Sequence, residues 1–164
     1  MSRVLLIGLL LGVCVAACQK DTTVADMAAT QLGKDTVIIH NYIVANNLTS
    51  VAKKDKASGE YYIIDTLGTG TALFTSSTLV TLGYTGRVLD STRVFAQTNN
   101  FHPAFALGQV IQGWQIGIPY IKKGGTIRLF VPSGYAYGPY PQPQLGLPAN
   151  AILDFTIKLY DISN

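Results

Sequence analysis

The residue types that usually carry enzyme chemistry are sparse in this chain. It has two histidines, His40 and His102, which lie far apart in sequence, and Glu60 is its one glutamate. No GxSxG, P-loop or HExxH motif occurs, so the usual patterns for a nucleophile, a phosphate site or a catalytic zinc are missing. We interpret both histidines as surface or helix-face residues and expect no metal and no cofactor. Aromatic and aliphatic side chains near glycine- and proline-rich turns remain as the candidate functional groups.

The cysteines indicate chemistry of a different kind near the N-terminus. Residues 1–17 combine one arginine with a run of apolar and small residues. This pattern is typical of a secretory signal peptide, and it is shorter than the roughly 20 apolar residues that span a bilayer. After its removal Cys18 is the one remaining cysteine, and a lone cysteine in an exported protein needs an explanation. Residues 15–18, VAAC, resemble the bacterial lipobox, which implies lipidation of Cys18.

The same resemblance to lipoproteins implies a location. Gln19, rather than an aspartate, follows the cysteine. By resemblance to lipoprotein sorting, this points to the outer membrane of a Gram-negative bacterium. We therefore expect a protein of the cell envelope that is attached to the membrane through the lipid on Cys18.

The length and composition exclude several classes of protein. The chain has 164 residues and a mass of 17.6 kDa, which predicts one folded domain. Its net charge is +3 with 13% charged residues, and no basic stripe is present, so we exclude a nucleic-acid-binding protein. A hydrophobic content of 48% argues against disorder.

Alternating apolar and polar residues predict the strands of one antiparallel sheet. The predicted strands cover residues 61–67, 79–88, 126–132 and 153–159. The spacing of Val110, Trp114, Ile118 and Ile121 predicts one short helix between the predicted strands at 79–88 and 126–132. Together these elements predict the α+β class, with an antiparallel twisted sheet wrapped over one short helix.

The region before the sheet is predicted to hold a tether and a second short helix. Residues 18–34 are polar and small without a sustained period, which favours a flexible tether. Asp35 is a candidate N-cap, and Ile39 and Ile43 follow at helical spacing. We therefore predict a short helix that ends near residue 47, within an N-terminal extension that spans residues 35–58.

Four segments, in order along the chain, resemble FKBP-type peptidyl-prolyl isomerases. Residues 83–86, GYTG, with Phe95 after them, resemble the YTG…F segment of that family. Residues 107–114, LGQVIQGW, resemble its helix entry. Residues 131–138, VPSGYAYG, and 147–155, LPANAILDF, resemble its P-x-x-x-A-Y-G motif and its final strand. We therefore interpret residues 59–164 as an FKBP-type isomerase domain of a bacterial lipoprotein.

The resemblance implies a pocket for proline-containing polypeptides, and a macrolide as an inhibitor. The residues implied to act in catalysis are Tyr84, Phe95, Val110, Ile111, Trp114, Tyr137 and Phe155. Phe105 and Leu147 are implied to contact the substrate. Trp114 is implied to form the floor of the pocket. The Ile111 N–H and the Tyr137 hydroxyl are implied to bond carbonyl oxygens of the bound peptide.

Two departures from the family pattern affect the expected activity. Ala96 stands where relatives usually carry an aspartate after the pocket phenylalanine, and Pro103 stands where a pocket phenylalanine is common. Both make the pocket more apolar, so we expect reduced turnover. The function predicted from sequence is a prolyl isomerase that assists folding of exported proteins. A peptide-binding or chaperone module with little or no turnover remains the alternative, and an envelope scaffold whose pocket is only core is a weaker third.

Overall fold

The structure is a computed structural model that describes residues 23–71 and 73–164, so the predicted signal peptide and Cys18 lie outside the described residues. The described residues form two α-helices, α1 (Val24–Ala45) and α2 (Gln112–Gly117). Their strands are β1 (Lys53–Lys54), β2 (Tyr61–Thr66), β3 (Leu79–Val88), β4 (Val94–Gln97), β5 (Ala104–Ala106), β6 (Thr126–Val131) and β7 (Leu153–Ser163). Neither helix has the length and apolar character that crossing a membrane requires.

One antiparallel sheet organises the domain. Its strands lie in the order β1-β2-β6-β7-β3-β4, and β5 also pairs with β3. The longest pairing joins β3 to β7, from Leu79 opposite Ser163 to Val88 opposite Leu153. Along β7 the apolar residues face the main core, whereas Thr156 and Lys158 are exposed. The predicted α+β architecture, an antiparallel sheet with a short helix packed against it, is confirmed.

Helix α2 lies very close to the sheet because glycines form the contact. A Cβ atom on Gly113 would lie 2.4 Å from Cγ1 of Val131, and one on Gly117 would lie 2.5 Å from Cδ2 of Leu129. No side chain fits in that space, so only glycine allows this distance between helix and sheet. The approach places the one tryptophan, Trp114, in the main core with 6% of its surface exposed.

Helix α1 covers the opposite face of the sheet. Its residues Ile39 and Ile43 pack with Ile63, Phe130 and Ile152 in a second hydrophobic cluster. Strand β6 is therefore buried on both faces, because Ile127, Leu129 and Val131 belong to the main core. Burial on both faces accounts for a nearly continuous apolar run in β6.

The N-terminal helix begins earlier than the sequence suggested. Residues 24–34, which we predicted to be part of a flexible tether, form the first half of α1. Thr23, not Asp35, is the N-cap, and it forms a reciprocal capping box with Asp26. Asp35 lies inside the helix and is buried. Packing of Ile39 and Ile43 against the sheet offsets the weak helix propensity of β-branched residues in this helix.

Other element boundaries differ slightly from the predictions. The predicted strand at residues 79–88 is confirmed, and the one at 153–159 extends to Ser163. The helical pattern at residues 110–121 contains only six residues of α-helix, which are followed by a 3₁₀ turn, Ile118–Tyr120. The short strands β1, β4 and β5 were not predicted, because two to four residues are too few to show a period.

A single buried carboxyl group lies beneath α2. Glu60 is 1% exposed, and neither of its carboxyl oxygens has a hydrogen-bond partner among the described residues. A Cβ on Gly113 or Gly117 would lie 3.3 or 3.1 Å from these oxygens. Burial raises the pKa of Glu60 to about 9, and the nearby carboxylate of Asp55 adds to the increase. Glu60 is therefore protonated at neutral pH.

We expect Glu60→Leu to remove a pH-dependent loss of stability. The unfolded chain releases the Glu60 proton near its ordinary pKa of 4.5, whereas the folded chain keeps it until about pH 9. The folded state thus binds the extra proton between these values, so the free energy of unfolding falls as pH rises through this window. Urea unfolding of Glu60→Leu at several pH values should show a flatter profile and higher stability above neutral pH.

Glu60→Gln is the matched control, because it removes the titration but keeps the polar group. Its profile should be as flat as that of Glu60→Leu, at a lower stability. A parent protein with the same pH slope as both variants would contradict the burial of an uncompensated carboxyl group.

Candidate active site

Four aromatic rings form a cage at the end of the sheet nearest α2. Trp114 meets Tyr84 and Phe155 edge-on, with ring centroids 4.8 and 5.1 Å apart. Phe95 packs edge-on against Phe155 at 5.7 Å. Edge-to-face contacts fix the tilt of each ring as well as its distance. Because these rings hold one another in place, the surface they present is rigid.

Each wall of the cage comes from a different element. Strand β3 supplies Tyr84, β4 supplies Phe95, β7 supplies Phe155 and α2 supplies Trp114. Phe105 on β5 completes the aromatic surface, with its ring centroid 6.3 Å from that of Trp114. The pairing of β4, β5 and β7 with β3 therefore determines the distances between the walls.

The cage encloses an open cavity of about 290 Å³. Its lining residues are Tyr84, Phe95, Ala96, Phe105, Gln109, Val110, Ile111, Trp114, Tyr137 and Phe155. This set includes all seven residues implied to be catalytic, together with Phe105. The two other lining residues, Ala96 and Gln109, were not in the predicted site, although Ala96 directly follows Phe95 and Gln109 lies in the segment 107–114.

Leu147 is the one predicted pocket residue that the structure places elsewhere. It is 3% exposed and packs in the main core rather than in the cavity wall. An apolar residue in a motif serves the core or the pocket depending on its side-chain direction, and the motif alone does not give that direction. Pro103 is also absent from the lining, and its carbonyl accepts a hydrogen bond from the N–H of Leu82.

The second glycine of the GYTG segment, Gly86, lies against two rings of the cage. A Cβ at this position would lie 2.7 Å from Cε1 of Phe155 and 2.9 Å from Cζ of Phe95. Real Cβ atoms do not approach ring carbons so closely, so any side chain here displaces both rings. The glycine is therefore required for the closure of the cage on the β3 side.

Two hydrogen-bond donors belong to residues that line this apolar cavity. The Ile111 N–H, at the N-cap of α2, makes no hydrogen bond within residues 23–71 and 73–164. Burial raises the pKa of the Tyr137 hydroxyl, so it remains a proton donor at neutral pH. These donors can orient a carbonyl oxygen in the cavity.

The cavity has no carboxylate or imidazole group in its described lining. Asp90, which could have replaced the missing aspartate at Ala96, lies in a separate groove beside α1. His40 contacts the Tyr61 hydroxyl, and His102 stacks on Tyr160, both outside the cavity. The site can therefore bind and desolvate an apolar group and hydrogen-bond its carbonyl, but it offers no side chain for general acid–base catalysis by a carboxylate or histidine.

Two larger cavities occur elsewhere in the described parts of the chain. One, of about 510 Å³, lies beside the loop that contains Lys122 and Lys123. The other, of about 480 Å³, is the groove between α1 and residues 148–152. Neither combines several aromatic rings with free hydrogen-bond donors. The aromatic cavity is the candidate active site because it has both.

The fold and the site define an α+β domain in which an antiparallel sheet and one short helix enclose an aromatic cavity. The family model for the FKBP-type peptidyl-prolyl cis-trans isomerases matches residues 70–160. The chain belongs to this family.

Curated relatives agree with this assignment. The isomerase FkpA of Buchnera aphidicola (subsp. Schizaphis graminum) is 40% identical over 109 residues, which are 66% of this chain and 42% of the relative. FkpA of Aeromonas hydrophila is 32% identical over 88% of this chain and 54% of its own length. FK506-binding protein 1 of Saccharomyces cerevisiae is 34% identical over 58% of this chain and 86% of its own length. The chain thus spans about half the length of the FkpA relatives.

Solved structures show the same fold. The crystal structure of FkpA from Escherichia coli superposes with a TM-score of 0.67 at 28% identity, covering 85% of this chain and 64% of the other. A peptidyl-prolyl cis-trans isomerase from Pseudomonas syringae also gives a TM-score of 0.67, at 26% identity, covering 84% of this chain and 96% of the other. Both superpositions extend well beyond the residues matched by the family model.

We expect Gly86→Ala to weaken binding of a proline-containing peptide by roughly ten-fold, or ~1.4 kcal/mol, because the added methyl group displaces the rings of Phe95 and Phe155 that line the cavity. Calorimetric titration of the variant with a short proline peptide measures this loss. Gly33→Ala is the control, since a Cβ on Gly33 meets no atom within 4 Å and lies on α1, away from the cavity. Equal affinities of Gly86→Ala and Gly33→Ala would contradict the assigned ring positions.

Proposed function

We propose that this chain catalyses cis–trans isomerisation of peptidyl-prolyl bonds in exported proteins as they fold in the cell envelope. The observation that supports the proposal is the cavity lined by Trp114 and other aromatic rings, with the Ile111 N–H as a hydrogen-bond donor that has no partner in the described part of the chain. Prolyl isomerisation makes and breaks no covalent bond, so it needs no nucleophile. A site without a carboxylate or a histidine is sufficient for this reaction.

The energetics of the reaction explain how such a cavity accelerates it. Resonance keeps the peptide bond planar with a barrier of about 18–20 kcal/mol. The twisted amide has less charge separation than the planar form. An apolar cavity therefore destabilises the planar ground state more than the twisted transition state. In this chain the rings of Tyr84, Phe155 and Trp114 supply the apolar surface.

The free donors give the bound peptide its orientation. We propose that the proline ring packs on the Trp114 indole while the Ile111 N–H donates a hydrogen bond to one peptide carbonyl. The Tyr137 hydroxyl donates to a second carbonyl. The Ile111 N–H is held by the backbone at the N-cap of α2 before the peptide arrives, so this donor loses little entropy on binding.

The proposal extends to the partners of the protein and to its location. We propose that Cys18 carries a lipid that attaches the domain to the membrane, with the outer membrane of a Gram-negative cell as the site. The lipobox resemblance of residues 15–18 supports this part of the proposal. One relative is named for binding FK506, and we propose that a macrolide of this kind inhibits the chain by occupying the same cavity.

One observation favours a second function, a peptide-binding or chaperone module with little turnover. Ala96 lines the cavity beside Tyr84, and the Tyr84 hydroxyl makes no hydrogen bond with the part of the chain that the structure describes. A tyrosine that lacks a fixed partner is less well oriented. Reduced precision of this kind lowers the rate more than the affinity.

An isomerase assay beside a peptide titration distinguishes the proposed functions. We expect turnover of a short proline peptide by the parent and a roughly ten-fold or greater loss of kcat/KM in Trp114→Leu, which keeps apolar volume but removes the flat surface. Ile121→Val, a fully buried position outside the cavity, is the control for lost stability. Binding without turnover would select the chaperone function, and neither binding nor turnover would leave only the scaffold.

Ala96→Asp should raise both turnover and macrolide affinity. The new carboxylate would accept a hydrogen bond from the Tyr84 hydroxyl, and one such bond contributes roughly 0.5–1.5 kcal/mol, or about two- to ten-fold. Steady-state kinetics of the variant measure the gain. Ala96→Val, which adds bulk without an acceptor, should show none. An inert or harmful Ala96→Asp in a parent that already turns over rapidly would show that no carboxylate is needed.

Cys18→Ser should abolish lipid attachment. The serine hydroxyl does not replace the thiol as the acylated group, so the protein should appear in the soluble fraction or remain unprocessed. Membrane fractionation with metabolic labelling by a tritiated fatty acid measures this outcome. Cys14→Ser, within the signal segment, is the matched control and should be labelled like the parent. A Cys18→Ser protein that is both cleaved and membrane-bound would refute the lipid anchor.

A further inference from the structure

Helix α1 carries a buried carboxylate that contacts the loop after β6. Asp35 is 1% exposed, although it lies in the middle of a helix whose other buried residues are apolar. Its Oδ2 atom accepts hydrogen bonds from the backbone N–H of Ser133 at 2.8 Å and from the Ser133 hydroxyl at 2.5 Å. Its Oδ1 atom accepts from the Gln31 side chain at 2.7 Å. Both oxygens are therefore satisfied, which a buried carboxylate requires.

The partner of Asp35 starts the loop that carries a cavity residue. Ser133 begins the 3₁₀ turn Ser133–Tyr135, and Tyr137 follows that turn. The carbonyl oxygen of Ser133 accepts hydrogen bonds from the N–H of Ala136 at 3.0 Å and from that of Gly138 at 2.8 Å. These two amides stand directly before and after Tyr137. Ser133 therefore restrains the backbone on both sides of Tyr137, and Asp35 in turn restrains Ser133.

We propose that Asp35 is a positioning residue for Tyr137, so that α1 is part of the structure that maintains the active site. Asp35 fixes the Ser133 backbone, the Ser133 carbonyl fixes the backbone on both sides of Tyr137, and the Tyr137 hydroxyl is thereby directed into the cavity. This inference rests on the proposed function only in assigning Tyr137 a contact with the substrate.

The chemistry of Asp35 indicates a role beyond attachment of the helix. Ile39 and Ile43 already bury an apolar surface of α1 against the sheet. An apolar side chain at position 35 would add to that surface without the cost of removing a carboxylate from water. What a carboxylate adds is direction, because two donors of one residue converge on a single oxygen atom. This geometry restrains the backbone of Ser133 more strictly than apolar packing does.

A double-mutant cycle in the full-length chain tests the positioning role. We expect Asp35→Ala to lower kcat roughly ten-fold with little change in KM, because a displaced donor affects the transition state most. In a Tyr137→Phe background, Asp35→Ala should lower kcat less than about two-fold further. Asp35→Asn should restore part of the activity, since its amide oxygen can still accept from Ser133. Ile43→Val, on the same helix face, controls for weakened packing of α1 and should keep the parent kcat.

Amide hydrogen exchange provides a readout that does not depend on activity. In Asp35→Ala the amides of Ala136 and Gly138 should exchange at least about ten-fold faster than in the parent, while in Ile43→Val they should not. If the parent shows no turnover, the proposed function fails, and faster exchange at these two amides still supports the positioning of the loop. An equal loss of kcat from Asp35→Ala with and without Tyr137, or unchanged exchange at Gly138, would overturn the inference.

Discussion

The close contact between α2 and β6 is the constraint on which the site depends. Gly113 and Gly117 leave no room for a side chain between the helix and Leu129 or Val131. At this distance Trp114 reaches into the ring of aromatic residues supplied by β3 and β7. A larger separation would move the indole away from Tyr84 and Phe155 and open the cavity to water. The same contact buries Glu60, whose raised pKa is a cost of the arrangement.

The two faces of the sheet serve different purposes that are joined at one loop. The face under α2 holds the main core and the cavity, while the other face is covered by α1. Arg128 on that second face pairs with Asp154 at 2.7 Å and also donates to the Tyr42 hydroxyl of α1. The loop after β6 contacts both sides, because Ser133 bonds to Asp35 and Tyr137 lines the cavity. Covering the sheet and shaping the cavity are therefore linked through one short segment.

Regular periodicity made the sheet predictable, and sequence motifs made most of the cavity predictable. The alternation along β7 identifies a strand with one buried face, and eight of the nine predicted pocket residues line the cavity. The start of α1 was not predictable in the same way, because Thr23 and Asp26 cap a stretch of small residues that resembles a linker. Asp35 was interpreted as a helix cap, since its partner Ser133 is 98 residues away and sequence gives no sign of the contact. Leu147 was assigned to the pocket because a motif does not show which way a side chain points.

The central claim is that a proline ring binds on the indole of Trp114. Trp114 is the only tryptophan, so the tryptophan emission of the chain, excited selectively over its nine tyrosines, reports on this position alone. Titration with a proline-containing peptide should produce a saturable change in tryptophan emission, with a dissociation constant equal to that from calorimetry. The same peptide with alanine in place of proline should produce no such change. Calorimetric binding of the proline peptide without any change in Trp114 emission would contradict the account.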